Sequence, residues 1–155
     1  MAYYRSKGPY SQSSLAAWSR MFEWLRASGM IRATGSGYGL LLDDPRSVDA
    51  SECRYDACVE LISGYAEKLP GDIGMRRLPG GAYVRCRHTT GADGLGRAIS
   101  QLRDEWMPTR GLIIDPRRPV IEVYLDDPAE VAWDKRRIDL CVPVKAIDEV
   151  GRSAA

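Results

Sequence analysis

The sequence lacks the residue patterns that are typical of zinc sites, of paired reactive cysteines and of membrane-spanning segments. It has one histidine, His88, and its four cysteines form no close C-x-x-C pair, so a zinc site is not expected. No apolar run approaches the length of a membrane span, and the amino terminus lacks a signal-peptide pattern. The net charge is only +1 over 155 residues, which lacks the basic excess typical of nucleic-acid-binding domains. These absences predict a cytoplasmic globular chain that has no metal or other cofactor and that by itself binds neither nucleic acid nor membrane.

What the sequence does contain is an internal repeat. Residues 42–45 (LDDP) recur as residues 125–128, a shift of 83 residues from Asp43 to Asp126. At the same shift, residues 55–59 (YDACV) recur as residues 138–142 (IDLCV). A repeat of this length is typical of a two-fold pseudosymmetric domain, because solenoids stack three or more shorter units.

The repeat also defines the domain organisation. Residues 2–5 (AYYR) match residues 82–85 (AYVR) at a shift of 80, so a small insertion accounts for the drift between the copies. We predict a single domain over residues 1–155, made of two pseudosymmetric halves at about 1–66 and 73–148. A Pro- and Gly-containing linker is expected to join them.

Each half is predicted to run strand, helix, strand, strand. Apolar residues recur at helical spacing in residues 13–28 and 93–107, which predicts one helix in each half. The first helix is expected to begin at capping serines and end before Gly29, and the second to end at Pro108. Their inward stripes are predicted as Leu15, Trp18, Met21, Phe22 and Leu25 in the first helix, and Leu95, Ala98, Ile99, Leu102 and Trp106 in the second.

Period-two alternation predicts the strands. In the second strand of the second half, Ile121, Val123 and Leu125 share one face, and Glu122 and Tyr124 share the other. The apolar set is expected to be buried against the helices. Glu122 and Tyr124 are therefore expected on the opposite, open face.

The third strands are expected at residues 54–61 and 138–144, after the two Asp-Asp-Pro sequences. Asp and Pro favour turns, and we prefer this interpretation of the two sequences to a metal site. The predicted fold class is α+β, with a duplicated strand-helix-strand-strand unit. Its antiparallel sheet carries both helices on one face, and a ligand groove is expected between the halves.

The two halves differ most clearly in their second strands. At the shift of 83, Gly39 corresponds to Glu122, and Leu41 corresponds to Tyr124. One half therefore offers a glycine gap, and the other offers a carboxylate beside a phenol. Since pseudosymmetry accounts for the rest of the strand, this difference marks a candidate site.

Two interpretations of Glu122 remain open from the residues alone. It is either a solvated strand carboxylate or the floor of a binding site with Tyr124, Trp106 and Tyr83 among its walls. Aromatic rings around one carboxylate suit a cationic or polar aromatic ligand, through stacking and charge pairing.

Several segments, in order, resemble GyrI-like domains. They are residues 3–10 (YYRSKGPY), Trp18, residues 78–83 (LPGGAY), His88, Gly91, residues 106–108 (WMP), 121–125 (IEVYL) and 138–143 (IDLCVP). The resemblance covers nearly the whole chain. It implies the duplicated fold with a ligand groove between the halves, and it matches the family's central acidic residue to Glu122. It assigns the aromatic pocket wall to Tyr124 and Trp106.

The GyrI-like family includes effector-binding domains of AraC-type and multidrug-responsive transcription regulators, a DNA gyrase inhibitor, and hydrolases of cyclopropane-bearing toxins. The resemblance implies a sensor domain that binds hydrophobic, cationic aromatic small molecules. The partners that it implies are an upstream DNA-binding domain or gyrase, because regulators of the family carry a helix-turn-helix region before the first strand. The alternatives are a hydrolase that uses Glu122 with tyrosines, and a protein interaction of the gyrase-inhibitor type. The sequence contains no set of nucleophile, base and orienting residue, which favours binding over catalysis.

Overall fold

Over its described residues, the chain forms two compact units that contain two α-helices and eight strands, an α+β composition that confirms the predicted fold class. The computed structural model describes residues 1–32, 34–62, 69–89, 94–127 and 130–147, with the exception of the Trp133 side chain. The first unit comprises Met1–Pro79 and Ile121–Val123, and the second comprises the described residues of Gly80–Val120 and Tyr124–Ala155.

The first unit has the predicted order of strand, helix, strand, strand. Its elements are β1 (Ala2–Lys7), α1 (Tyr10–Ala27), β2 (Thr34–Leu41), β3 (Arg54–Leu61) and β4 (Gly74–Met75). The strands lie in the order β4-β1-β3-β2, and β1 and β2 both pair antiparallel with β3. Beside β2 lies the middle of β7 (Val120–Tyr124), whose residues Ile121–Val123 belong to this unit.

Helix α1 starts three residues earlier than predicted and without a serine cap. Its N-cap residue is Pro9, which makes no side-chain capping bond, and Ser13 is buried inside the helix. A proline is suited to a helix start because it has no N–H to satisfy. The carboxyl-terminal end is as predicted, since Gly29 follows it with a φ of 71°, in the left-handed region that favours glycine.

The inner face of α1 is rotated from the predicted stripe. Leu15 is 52% exposed and Phe22 is half-buried, so neither forms the core contact expected of it. The buried face consists of Ser13, Ala17, Trp18, Met21, Trp24 and Leu25. Met21, Trp24 and Leu25 follow Ala17 by four, seven and eight residues, which places them on one face of the helix. Sequence periodicity favoured the apolar Leu15 over small residues such as Ser13 and Ala17, although these two face the core.

The predicted linker, residues 68–74, ends within a strand. Gly74 and Met75 form β4, which pairs antiparallel with β1 through Ala2↔Met75 and Tyr3↔Gly74. The guanidinium of Arg76 then bonds the buried carboxylate of Asp56. The connecting segment is thus an edge strand of the first unit rather than a loose connection.

The second unit repeats the order with one added strand. Its elements are β5 (Tyr83–Thr89), α2 (Gly94–Gln101), β6 (Leu112–Ile114), the ends of β7, and β8 (Arg137–Ala146). Strand β8 pairs antiparallel with both β5 and β6. The core of the unit contains Met107, Leu140, Val142 and Val144. Helix α2 packs on this core through Leu95, Ala98 and Ile99, and Leu102 just after the helix does the same. The predicted helix start at Asp93 lies outside the described residues.

A π-type turn ends the second helix and displaces Trp106 from the core. After Gln101 the chain continues as a π-helical turn over Leu102–Trp106, in which the N–H of Met107 donates to the carbonyl of Leu102 at 2.8 Å. A π turn spaces residues five apart instead of four, so the apolar stripe passes from Leu102 to Met107. Met107 is fully buried and Trp106 is 36% exposed. The predicted core position of Trp106 is therefore wrong.

The same ion pairs recur in the two units. Asp43 pairs with Arg54 at 2.8 Å, and Asp126 pairs with Arg137 at 2.6 Å, both at a shift of 83. Each carboxylate also accepts the backbone N–H of its arginine, at 2.8 and 2.6 Å respectively. The first aspartate of each Asp-Asp-Pro sequence thus fastens the turn to the third strand, in agreement with the turn interpretation. Pro128 lies outside the described residues.

A second recurring pair corrects the alignment of the first strands. Arg5 lies opposite Asp56 across β1 and β3, and Arg87 lies opposite Asp139 across β5 and β8. The closest bonds are 2.7 Å for Arg5–Asp56 and 2.9 Å for Arg87–Asp139. The structural counterpart of Arg5 is therefore Arg87 rather than Arg85, and the shift stays close to 83 throughout.

The turn carboxylates should make stability depend on acid pH. Arg137 lowers the pKa of Asp126 from 3.8 to about 2. A carboxylate whose pKa is lower in the folded state stabilises the fold above its unfolded pKa, and this contribution is lost as the pH falls through the folded value. Asp126→Asn should therefore be less stable than the parent protein at neutral pH, and the difference should vanish near pH 2 in urea unfolding experiments. Asp134→Asn, at an exposed carboxylate, is the control. A loss of stability in Asp126→Asn that does not change with pH would contradict the role given to the Asp126 carboxylate.

Candidate functional site

Glu122 is buried on the face of the sheet that α1 covers. Only 6% of the residue is exposed, and its Oε2 accepts a hydrogen bond from the hydroxyl of Tyr55 at 3.1 Å. The same hydroxyl accepts a bond from the indole Nε1 of Trp18, on α1, at 3.0 Å. The prediction that Glu122 points to an open face is wrong. Alternation identifies which residues share a face, but it does not show which face the helix covers.

The apolar set of the same strand is correspondingly less buried than predicted. Ile121 is 4% exposed, as expected of a buried residue, but Val123 is only half-buried and Leu125 is 37% exposed. A polar side chain in this strand is thus more enclosed than two of its apolar neighbours. Burial of a carboxylate is costly unless its surroundings compensate for the lost water, so such a position is a candidate for function.

Aromatic residues of the first unit surround Tyr55. Tyr55 is fully buried, and the ring of Tyr10 meets its ring edge-on at a centroid distance of 6.3 Å. The hydroxyl of Tyr10 donates to the carbonyl of Asp43 at 2.6 Å and accepts the N–H of Asp43 at 2.9 Å. Burial raises the pKa of Tyr10 well above its usual value. The start of α1 is thereby fixed to the first Asp-Asp-Pro turn, beside the site.

Two glycines in β2 make room for these side chains. A Cβ atom on Gly39 would lie 2.0 Å from the Tyr55 hydroxyl and 2.7 Å from Glu122 Oε2. A Cβ atom on Gly37 would lie 3.1 Å from the Trp18 ring. The glycine gap found in the sequence is therefore the space into which Tyr55 and Glu122 reach. We call Trp18, Tyr55 and Glu122, together with Gly37 and Gly39 beneath them, the Glu122 site.

The other predicted site residues lie in the second unit. Tyr124 is half-buried near the end of β7. Trp106 has the guanidinium of Arg110 over its ring at 4.0 Å, and Tyr83 has that of Arg118 over its ring at 4.8 Å. Burial raises the pKa of Tyr83, and Arg118 opposes this effect. Their membership of a common groove with Glu122 stays a prediction.

Arg118 is itself held in place. It bonds Asp115 at 3.0 Å, and it donates to the carbonyls of Ala82 at 3.0 Å and Val144 at 2.9 Å. Arg117 and Arg118 hold the pKa of the Asp115 carboxyl well below its usual range, although burial opposes them. The ring of Tyr83 therefore lies against a fixed guanidinium.

Sequence reasoning missed Tyr55 and gave Trp18 only a packing role. A signal was present, because Tyr55 corresponds to Ile138 at the shift of 83 and is thus a further polar difference between the halves. The comparison of halves had considered the second strands alone. Applied to the third strands, it would have selected Tyr55.

Other kinds of site have less support. Among the described residues, no group of three or more His, Cys, Asp or Glu side chains could hold a metal ion. The four cysteines are free thiols, and burial raises the pKa of the Cys58 thiol to about 12. Cys58 is fully buried, and Cys141 is half-buried. Over the described ranges, every helix is too short or too polar to span a bilayer.

Residues 1–145 of this chain match the GyrI-like small molecule binding domain. The chain belongs to the GyrI-like family. This confirms the resemblance found in the sequence, and it makes small-molecule binding the function shared with the family. A comparison with curated proteins finds no match for this GyrI-like chain.

Solved structures share the GyrI-like fold at low sequence identity. The crystal structure of the EcmrR C-terminal domain is 16% identical with a TM-score of 0.65, over 94% of this chain and 90% of that one. The cryo-EM structure of the EcmrR–DNA complex in EcmrR-RPo is 15% identical with a TM-score of 0.66, over 94% of this chain and 53% of that one. The crystal structure of a hydrolase from Listeria innocua is 15% identical with a TM-score of 0.56, over 94% of this chain and 87% of that one. This chain thus spans about half of the EcmrR chain in the DNA complex.

Proposed function

We propose that this GyrI-like domain binds hydrophobic, cationic aromatic small molecules at the Glu122 site. The observation that carries the proposal is a carboxylate 6% exposed among aromatic side chains on the helix-covered face of the sheet. Charge pairing with a bound cation offsets part of the free energy of hydration that the carboxylate loses on burial. The neighbouring aromatic rings favour cations and flat apolar groups through their π faces.

We further propose that the domain serves as the sensor of a transcription regulator, of the AraC-type or multidrug-responsive kind. The support is the fold shared with the EcmrR C-terminal domain and with a chain in an EcmrR–DNA complex. Because this chain spans about half of the latter, DNA binding would be the task of another part of such a regulator. The net charge of +1 fits a sensor part better than a DNA-binding part.

Glu122→Gln tests the ligand proposal, because it keeps the shape of the side chain and removes its charge. With 9-aminoacridine, a flat aromatic cation at neutral pH, we expect binding to weaken by about 1–3 kcal/mol, the loss of a charged hydrogen bond from a buried site. This corresponds to a rise in Kd of about 5- to 150-fold in isothermal titration calorimetry. Neutral acridine should bind the two proteins alike.

The chain provides a matched control for this substitution. Glu60 also accepts a hydrogen bond from a tyrosine, at 2.9 Å from the Tyr38 hydroxyl, but it lies exposed on β3 of the same unit. Glu60→Gln should leave the affinity for 9-aminoacridine unchanged. Equal affinities of the parent protein and Glu122→Gln, or no binding of aromatic cations by the parent protein, would refute the proposal.

A hydrolase of cyclopropane-bearing toxins is the second candidate. The observation that favours it is the pairing of a phenol with a buried carboxylate, with Tyr55 Oη and Glu122 Oε2 3.1 Å apart. Glu122 could deprotonate a water molecule while a tyrosine polarises a substrate carbonyl. For such an enzyme, Glu122→Gln should spare binding and abolish turnover of a cyclopropane-bearing substrate, whereas a pure sensor shows no turnover before or after the change.

A further inference from the structure

We propose that Tyr55 is a positioning residue that couples occupancy of Glu122 to helix α1 through Trp18. This inference rests on the proposed function, since it concerns how binding at the same site is transmitted. Tyr55 is the middle member of a hydrogen-bonded path that begins at Trp18 Nε1 and ends at Glu122 Oε2, with bonds of 3.0 and 3.1 Å. A ligand cation that draws the carboxylate toward itself therefore changes the partner of the Tyr55 hydroxyl.

The path has little room to absorb such a change. The Tyr55 hydroxyl lies so close over β2 that a Cβ atom on Gly39 would be 2.0 Å away, and the Trp18 ring lies 3.1 Å from the Cβ position of Gly37. Tyr55 is fully buried and Trp18 is 8% exposed. Closely packed side chains move together rather than deform singly. A displacement of the Tyr55 hydroxyl should thus reach the indole of Trp18.

From Trp18 the contacts continue to the solvent side of α1. The rings of Trp18 and Phe22 lie 5.5 Å apart at 32°, and the guanidinium of Arg26 lies over the Phe22 ring at 5.7 Å. Phe22 is half-buried and Arg26 is exposed. Four contacts therefore join a buried carboxylate to the surface of the carboxyl-terminal half of α1. That half of the helix is where occupancy of the site should be detectable from outside.

The indole N–H resonance of Trp18 reports on this path directly in ¹H–¹⁵N correlation spectra. Trp24 is the internal control, because it lies on the same helix and is 5% exposed. In the ligand-free protein, Glu122→Gln should move the Trp18 indole resonance and leave that of Trp24 in place. Glu60→Gln, at the exposed tyrosine–glutamate pair, should move neither. Saturation with 9-aminoacridine should move the Trp18 resonance and slow amide hydrogen exchange in the last two turns of α1.

Tyr55→Phe removes the hydroxyl and keeps the ring, so it should break the coupling. In this background, Glu122→Gln should no longer move the Trp18 indole resonance. If Glu122→Gln alone leaves the Trp18 indole resonance in place, the proposed coupling is wrong. This test does not depend on whether Tyr55→Phe folds. If 9-aminoacridine binds in a Glu122-dependent way but Trp18 does not respond, the coupling fails and the proposed function stands. If Glu122→Gln moves Trp18 but aromatic cations do not bind, the ligand assignment fails and the hydrogen-bonded coupling stands.

Discussion

Replacing Met107 with alanine is expected to lower the free energy of unfolding by about 2–5 kcal/mol. Met107 is fully buried in the core of the second unit. The π turn over Leu102–Trp106 brings it onto the same face as Leu102. Truncation removes the buried thioether chain and leaves a cavity that the close-packed strand β8 can fill only in part. Urea unfolding of the two proteins measures the difference.

Trp106→Ala is the matched control for Met107→Ala. Trp106 is the larger residue and the one that helical periodicity selects, but it is 36% exposed and its ring lies beneath Arg110. Its truncation should cost less than that of Met107, because part of its surface stays in water in the folded state and its cation–π contact contributes only about 0.5–1 kcal/mol. If the order of the two effects were reversed, the helix would continue without the π turn and Trp106 would face the core.

Replacing Gly39 with alanine is expected to cost about 1–3 kcal/mol of stability and to abolish binding at the Glu122 site. The added methyl would overlap the Tyr55 hydroxyl and Glu122 Oε2, at 2.0 and 2.7 Å. The Tyr55 hydroxyl is also bonded to the Trp18 indole, so we expect the methyl to displace the carboxylate from its place over β2. Chemical denaturation and calorimetric titration with 9-aminoacridine measure the two effects.

Gly71→Ala is the control for the loss of glycine itself. Apart from its two neighbours in the chain, no atom of the described residues lies within 4 Å of the Cβ position of Gly71. This variant should bind as the parent protein does, and its stability should be the same or slightly higher, because alanine restricts the unfolded chain. A Gly39→Ala protein with unaltered binding would show that the Glu122 carboxylate is not fixed by the space above Gly39.

Several parts of the fold could be predicted because they depend on local sequence. The third strand at residues 54–61 is found at those bounds, since apolar residues and a turn signal define it independently of the rest of the chain. The end of α1 was predictable for a similar reason, because Gly29 adopts the left-handed backbone conformation that ends a helix. The π turn before Met107 was not predictable, because it changes the period of the helix without a glycine or proline to mark it.

The sequence selected Glu122 as a candidate site residue, but it did not predict the side chains that surround Glu122 in the structure. The difference between Gly39 and Glu122 drew attention to this carboxylate, because a repeat makes any departure from itself visible. The face was assigned wrongly, since a polar residue was taken to avoid the helix. Tyr55 and Trp18 belong to other elements, and only tertiary packing brings them to Glu122.

The most direct test of the account is the location of a bound aromatic cation. Intermolecular nuclear Overhauser effects from 9-aminoacridine, or a crystal structure of its complex, would identify the side chains that it meets. The account predicts contacts to the Tyr55 and Trp18 rings and a charge pair with Glu122 on the face that α1 covers. A ligand bound on the opposite face, beside the Arg5–Asp56 pair and away from Glu122, would contradict it.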